Sequence, residues 1–202
     1  MLRVGVDAAL LFVQRAKRQG HRGMLLSLDV GTSKCGVAVT DPSLTFAVPL
    51  GTIERRHPVR SAASINVFAR QLRALATKYG ACGCVCGWPV ELDGSRGAQC
   101  NLVHTFVAGV AQSLASPLPS KTTPAFKPAT HFQRPQIIDG SGFELPFVLV
   151  DERFSTVEAL QPMYESGTRR ARRERLRDGA SAVVILHRVL DDPRARSFSR
   201  LR

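Results

Sequence analysis

The sequence predicts an α/β fold, a mixed sheet of five strands with helices on its faces. Three observations lead there. Three short apolar runs joined by turn-rich links come first, the pattern of antiparallel strands in a meander. Two further apolar runs then alternate with long stretches of helical periodicity, as strands joined through helices do. With 44% hydrophobic and 22% charged residues among 202, the chain can bury one ordinary core and carries some extra sequence.

The first apolar run, Met24 to Asp29, is closed by Gly31, and Gly36 to Thr40 is the second. Phe46 to Leu50 begins the third, where Pro49 favours an edge or irregular strand. Pro58 to Tyr79 predicts a helix with Ile65, Phe68, Leu72, Leu75 and Ala76 on one face and Gly80 at its stop. Ala81 to Cys86 is the fourth strand, leading into Gly87-Trp88-Pro89. A second helix runs from Ser95 to Ala115, carrying Leu102, Phe106, Val110 and Leu114. Residues 116–146 hold Pro117, Pro119, Pro124, Pro128, Pro135 and Pro146 among Ser, Thr and Gly, which reads as an inserted, largely disordered loop. Phe147 to Val150 is the fifth strand, and Ser155 with Glu158 makes a capping box opening a third helix. After Gly167 an arginine-rich loop, Arg169 to Arg177, leads to a last helix from Asp178 to Leu190. A meander followed by strand–helix alternation is the ribonuclease H-like arrangement.

Residues 1–23 carry Arg3, Arg15, Lys17, Arg18 and Arg22 against Asp7, with Leu2, Val6, Ala9, Leu10 and Val13 at helical spacing. Such a basic amphipathic stretch fits a mitochondrial or plastid transit peptide, although it lacks serine, and equally fits an accessory helix on a cytoplasmic domain. Five cysteines argue against a disulfide framework, since the number is odd. Cys82, Cys84 and Cys86 alternate, which places all three on one strand face as small apolar fillers rather than zinc ligands. No apolar stretch approaches the ~20 residues of a membrane-spanning helix. Lys and Arg exceed Asp and Glu by 28 − 16 = 12, and so basic a chain usually meets a polyanion, most commonly nucleic acid.

Carboxylates collect at strand ends. Asp29 lies where the first strand enters Gly31-Thr32, and Asp151-Glu152-Arg153 follows the fifth strand. Asp178 stands at the last helix, and Glu91 and Asp93 lie beside the fourth strand. All-oxygen ligand sets suit Mg2+ or Mn2+, and a pair of such ions serves phosphodiester cleavage. Each acid also has a plain alternative: Asp178 as a helix N-cap, Glu152 paired with Arg153. Asp-x-Gly-Thr also forms the phosphate loop of two-subdomain ATPases, but this chain is too short for both subdomains. The six arginines between Arg169 and Arg177 suit a phosphate backbone, whereas Trp88 and Phe154 adjoin apolar strands and read as core.

Four motifs in order complete the reading: Leu28-Asp-Val-Gly-Thr32 with Gly36-Val-Ala-Val39, Gly87-Trp-Pro89 with Asp93-Gly-Ser95, Asp151-Glu-Arg-Phe-Ser-Thr156, and Asp178-Gly-Ala-Ser-Ala182. From Met24 to Leu190, apart from the Pro-rich stretch, the chain resembles the YqgF/RuvX family of Holliday-junction-resolvase-like nucleases, linked to maturation of the small-subunit ribosomal RNA precursor. The resemblance implies a metal-dependent hydrolase whose acidic site maps onto Asp29, Asp151, Glu152 and Asp178; Glu91, from its place beside the fourth strand, is a further candidate acid. Their charge and position make Lys34, Arg153, Arg169, Arg170, Arg172 and Arg173 the expected nucleic-acid contacts. Ser33, Trp88, Glu91 and Gly179 depart from the family pattern, which bears on substrate preference more than on the acids. A branched-DNA resolvase and a non-cleaving RNA-binding assembly factor are the competing expectations.

Overall fold

Six strands form one mixed sheet in the order β1-β6-β5-β2-β3-β4 in the computed structural model, which describes residues 2–4, 6–19, 23–55, 61–116, 143, 145–152, 165 and 170–193. In chain order the elements are β1 (Leu2–Val4), α1 (Val6–Gln19), β2 (Met24–Val30), β3 (Lys34–Thr40) and β4 (Ala47–Glu54). Then come α2 (Ala62–Tyr79), β5 (Ala81–Trp88), α3 (Ala98–Ala115), β6 (Phe147–Asp151) and α4 (Arg170–Leu190). The meander β2-β3-β4 is antiparallel, and β5 lies parallel to both β2 and β6. The five expected strands are thus present in a ribonuclease H-like order, and β1 adds a short parallel strand outside β6. Pro49 sits on the edge strand β4, beside a register shift, where its missing N–H breaks no interior ladder.

Alternation along the strands divides the core into two layers. Leu26, Leu28 and Val30 of β2 join Cys84, Cys86, Phe147 and Leu149 under α2 and α3. Leu25, Val85, Val148 and Val150 face the other way, toward α1 and α4. Cys82 departs from the expected alternation. The β2–β5 register pairs Met24 with Ala81 but Leu25 with Gly83, so Cys82 is the extra residue of a bulge. Cys84 and Cys86 therefore pack under α2 and α3, while Cys82 packs against the opposite layer.

The helices follow from local chemistry. Ser61 caps α2 by accepting from the Ser64 N–H at 3.1 Å, and Gly80 ends it in the left-handed conformation at φ 61°. The Pro58 start expected for α2 lies outside the described residues. Helix α3 begins at Ala98 rather than Ser95, because Asp93 accepts from the Ser95 N–H at 2.8 Å and Glu91 pairs backbone groups with Ser95 and Gly94. Those bonds hold residues 91–95 in a turn. Phe68 meets Phe106 edge-on at 4.9 Å and joins α2 to α3.

Two expectations are corrected. Asp178 does not open the last helix. Helix α4 starts at Arg170 and runs through the arginine stretch, which holds no Gly or Pro and is built from the strong helix formers Arg, Ala, Glu and Leu. The Pro-rich stretch is also shorter than read, since Leu145 is buried in the core and Phe143 packs against it. Arg73 joins the two ends of that stretch, donating to the Leu114 and Ser116 carbonyls while lying 5.1 Å from the Phe143 ring. Residues 117–142, Arg153, Phe154, the capping box at Ser155 and Glu158, and Arg169 lie outside the described residues.

The N-terminal segment is built into the fold. Helix α1 buries Ala9, Leu10, Phe12, Val13 and Ala16 in the layer it shares with α4. A Cβ on Gly83 would stand 2.7 Å from the Phe12 ring, so the bare backbone there lets α1 lie close to β5. Its apolar stripe is used for packing, which gives the targeting reading no support. No helix among the described residues is long and apolar enough to cross a membrane.

Candidate active site

Asp29 ends the central strand β2 between two strands whose backbones are bare. Gly36 is its register partner on β3, and Gly87 lies one step beyond the Leu28–Cys86 pair on β5. Alternation sends Asp29 to the α4 side, in series with Leu25 and with Ser27, whose hydroxyl donates to the Ala182 carbonyl at 2.6 Å. That bond ties α4 to the strand two residues before the acid.

Glu152 comes to the same side. It follows β6, where Val148 and Val150 face α4 while Phe147 and Leu149 face away. Its N–H donates to the Trp88 carbonyl at 3.2 Å, which prolongs the β5–β6 pairing by one residue. Its carboxylate occupies the space over Gly87. A Cβ on Gly87 would collide with Oε2 of Glu152 and stand 2.8 Å from Cδ1 of Ile185. Gly87 is therefore needed for close approach and not for a turn.

The enclosure has an electrostatic consequence. Oε2 of Glu152 is buried and has no hydrogen-bond partner among the described residues. Burial, and next the Asp29 charge, push the Glu152 carboxyl up to about 8, with Asp151 adding to the rise and Arg188 opposing it. Arg188, on α4, donates to the Asp151 carbonyl at 2.8 Å and so fixes the strand end that carries both acids. The Cys35 and Cys86 thiols nearby are held far above their ordinary range, chiefly by burial, and stay protonated fillers.

The acids singled out in the sequence divide accordingly. Asp29 and Glu152 share the α4 side, and Asp151 is the half-buried residue paired with Trp88, in the alternate series. Asp178 lies in the ninth position of α4, and helical spacing sets 178, 181, 185 and 188 in one stripe. Glu91 is not brought in. It is exposed in the turn before α3, with its carboxylate folded against Gly97, and it is not among the charges acting on Glu152. Lys34 is exposed at the start of β3, beyond the Gly31-Thr32 turn. Among the described residues, no three of His, Cys, Asp and Glu already form a metal-sized group. Arg188 and the role of Gly87 were missed in the sequence. The signal for Arg188 was present, in its spacing from Asp178 along one helical stripe.

Oxygen acids of this kind suit a hard divalent cation, and the orphaned Glu152 oxygen next to Asp29 fits such an ion as the absent partner. Comparison with known proteins agrees in class. The profile of the Holliday junction resolvase family RuvX matches residues 23–123 and 130–192. A protein of Rhodopseudomonas palustris (strain BisB5) is 31% identical over 182 residues, covering 90% of this chain and 91% of that one. One of Roseobacter denitrificans is 32% identical over 167 residues, covering 83% and 82%, and one of Cereibacter sphaeroides is 34% identical over 169, covering 84% and 83%. All three are named as pre-16S rRNA nucleases. Among solved structures, the ethanolamine utilization protein EutJ of Carboxydothermus hydrogenoformans aligns at a TM-score of 0.35 and 14% identity over 75% of this chain and 50% of that one. That likeness is too low to bear on either fold or function.

Proposed function

Because the chain belongs to the RuvX family of Holliday junction resolvases, we propose that it is a nuclease hydrolysing phosphodiester bonds in the maturation of the small-subunit ribosomal RNA precursor. The observation that carries the reading is the pair Asp29 and Glu152. Two acids are brought to one side of the sheet edge, and one has a buried oxygen that no described protein group satisfies. Asp29, Glu152 and Asp178 would hold Mg2+ or Mn2+, with Asp151 adjoining them. When bound, such an ion supplies activated water and charge neutralisation at the scissile phosphate.

The chain's own residues do the rest. Gly87 leaves the volume in which Glu152 sits, and Arg188 holds the strand end through the Asp151 carbonyl. Lys34, Arg153 and the arginines 169, 170, 172 and 173 supply positive charge for the phosphate backbone, in keeping with a chain of net charge +12. Helix α1 belongs to the folded domain, because its removal would expose the layer around Leu25, Val85 and Val148. The decisive measurement is single-turnover cleavage of matched ribosomal RNA precursor and branched-DNA substrates with Mg2+, Mn2+ or chelator, beside equilibrium binding. Asp29→Asn should cut cleavage about a hundredfold or more and leave binding nearly unchanged. Undiminished cleavage by that variant would remove the acidic-site reading. A wild-type chain that binds RNA and cleaves nothing would favour a role as an assembly factor.

A further inference from the structure

On the opposite side of the sheet from Asp29, at the same edge, α2 and α3 part to leave a cavity of about 230 Å³. Its floor and walls are apolar: Val30, Ile65, Leu102, Val103 and Phe106. Its polar groups are few: Thr32, Gln99, Thr105 and the guanidinium of Arg55. Such a hollow is smaller than the roughly 300–1,000 Å³ of ordinary small-molecule sites. It is the size of one planar fragment. Val30 and Thr32 flank Gly31, so the cavity begins one residue beyond Asp29 along the chain. In parallel α/β sheets ligands lie beyond the carboxyl ends of the strands, and both the cavity and the acids adjoin that end of β2.

Arg55 makes the cavity more than a packing defect. Its guanidinium lies 4.0 Å from the centre of the Phe106 ring, and Nη1 donates to the Gly31 carbonyl. Those two contacts fix the plane of the group. Its Nε–H is buried with no acceptor among the described residues, and no described carboxylate acts on it. A pre-set cationic plane and an aromatic ring beside an apolar slot are what unpaired bases seek. Single-stranded RNA is read by stacking on aromatic rings and arginine planes, with hydrogen bonds to the exposed base edge.

We propose that this cavity receives one unpaired base of the substrate strand next to the cleaved phosphate, with Arg55 and Phe106 as its platform and Gln99 reading its edge. The inference rests on the nuclease reading for the identity of the strand, and it adds a specificity site on the face of the sheet away from the acids. A strand crossing the sheet edge over Gly31 presents phosphate to Asp29 on one face and a neighbouring base to Arg55 on the other. Arg55 here is a binding residue and takes no part in the chemistry.

The test is made without cleavage, on the full chain in chelator. Single-stranded RNA oligomers carrying 2-aminopurine at successive positions are titrated with wild type, Asp29→Asn and Arg55→Gln, and fluorescence and affinity are recorded. Wild type and Asp29→Asn should quench one position far more than its neighbours. Arg55→Gln should lose that quench and bind about tenfold more weakly, within the range of one base stacked on a side chain. An abasic residue at the same position should cost wild type the same factor and cost Arg55→Gln nothing more. Should Arg55→Gln lose cooperative unfolding, Gln99→Leu and Thr105→Val on the cavity wall replace it in the same comparison. Uniform quenching along the strand, or losses from the variant and the abasic residue that multiply, overturns the base site. If the chain cleaves RNA yet seats no base, this inference falls and the nuclease reading stands. If it seats a base yet cleaves nothing, the nuclease reading falls and the cavity stands only as a base-binding site for RNA.

Discussion

Replacing Glu152 by Gln should make the metal-free protein more stable at neutral and basic pH. The carboxyl rests at 4.5 in the unfolded chain and at about 8 in the folded one. Between those values the unfolded chain has lost this proton and the folded chain keeps it. The folded state then binds more protons, so stability falls as pH rises. The contribution is complete below pH 4.5 and is lost as pH climbs through the folded value near 8. At about 1.4 kcal/mol for each tenfold, the window from 4.5 to about 8 corresponds to about 3–5 kcal/mol for a group as enclosed as this one. Glutamine keeps the shape over Gly87 and cannot ionise. Urea unfolding of wild type and Glu152→Gln in chelator, from pH 4.5 to 8.5, should give curves that meet at the acid end and diverge toward the basic end. Mg2+ should then restore wild type at pH 8 and stabilise the variant much less, because the variant lacks one of the acids that would hold the ion. Parallel curves for the two proteins in chelator would show that Glu152 titrates as an ordinary carboxyl and that its enclosure has no energetic consequence.

Three further outcomes follow from the same geometry. Gly87→Ala should keep the fold but expel the Glu152 side chain, returning its titration toward the ordinary range and lowering cleavage about a hundredfold; unfolding curves against pH, read beside cleavage rates, check both. Replacing Arg169, Arg170, Arg172 and Arg173 together with Gln should weaken RNA binding and reduce the log–log salt slope by about 0.7–0.9 for each phosphate no longer neutralised; an unchanged slope in binding titrations would place the run away from the nucleic acid. Phe12→Ala should cost about 3–5 kcal/mol in chemical denaturation, because the ring is buried in the α1 layer over Gly83; a negligible change would mean that α1 does not hold the sheet.

Period and punctuation made most of the fold legible in the chain itself. Alternating apolar runs set β2 to β6, helical spacing set α2 and α3, and Gly80 marked a stop that the left-handed cap confirms. These are local properties, carried by neighbouring residues and their backbone preferences. The four motifs likewise pointed to the acids before any contact was known. Where the reading failed, the cause lay in partners distant in the chain or in competing local bonds. Cys82 changed faces because β2 skips a residue in pairing with β5, and a bulge belongs to two strands at once. Asp178 looked like a cap until α4 proved to begin eight residues earlier, since a run of arginines has good helix propensity despite its charge.

The site itself was decided by tertiary structure. In sequence, Asp29, Asp151, Glu152 and Glu91 are equivalent carboxylates near strand ends. Alternation across packed strands sends Asp29 and Glu152 to the α4 side, and a turn keeps Glu91 apart. The proton affinity of Glu152 depends on desolvation over Gly87 and on the Asp29 charge, groups separated from it along the chain by 65 and 123 positions. Burial and through-space charge do not exist until those segments meet, so residue type and spacing could name the acids but not rank them.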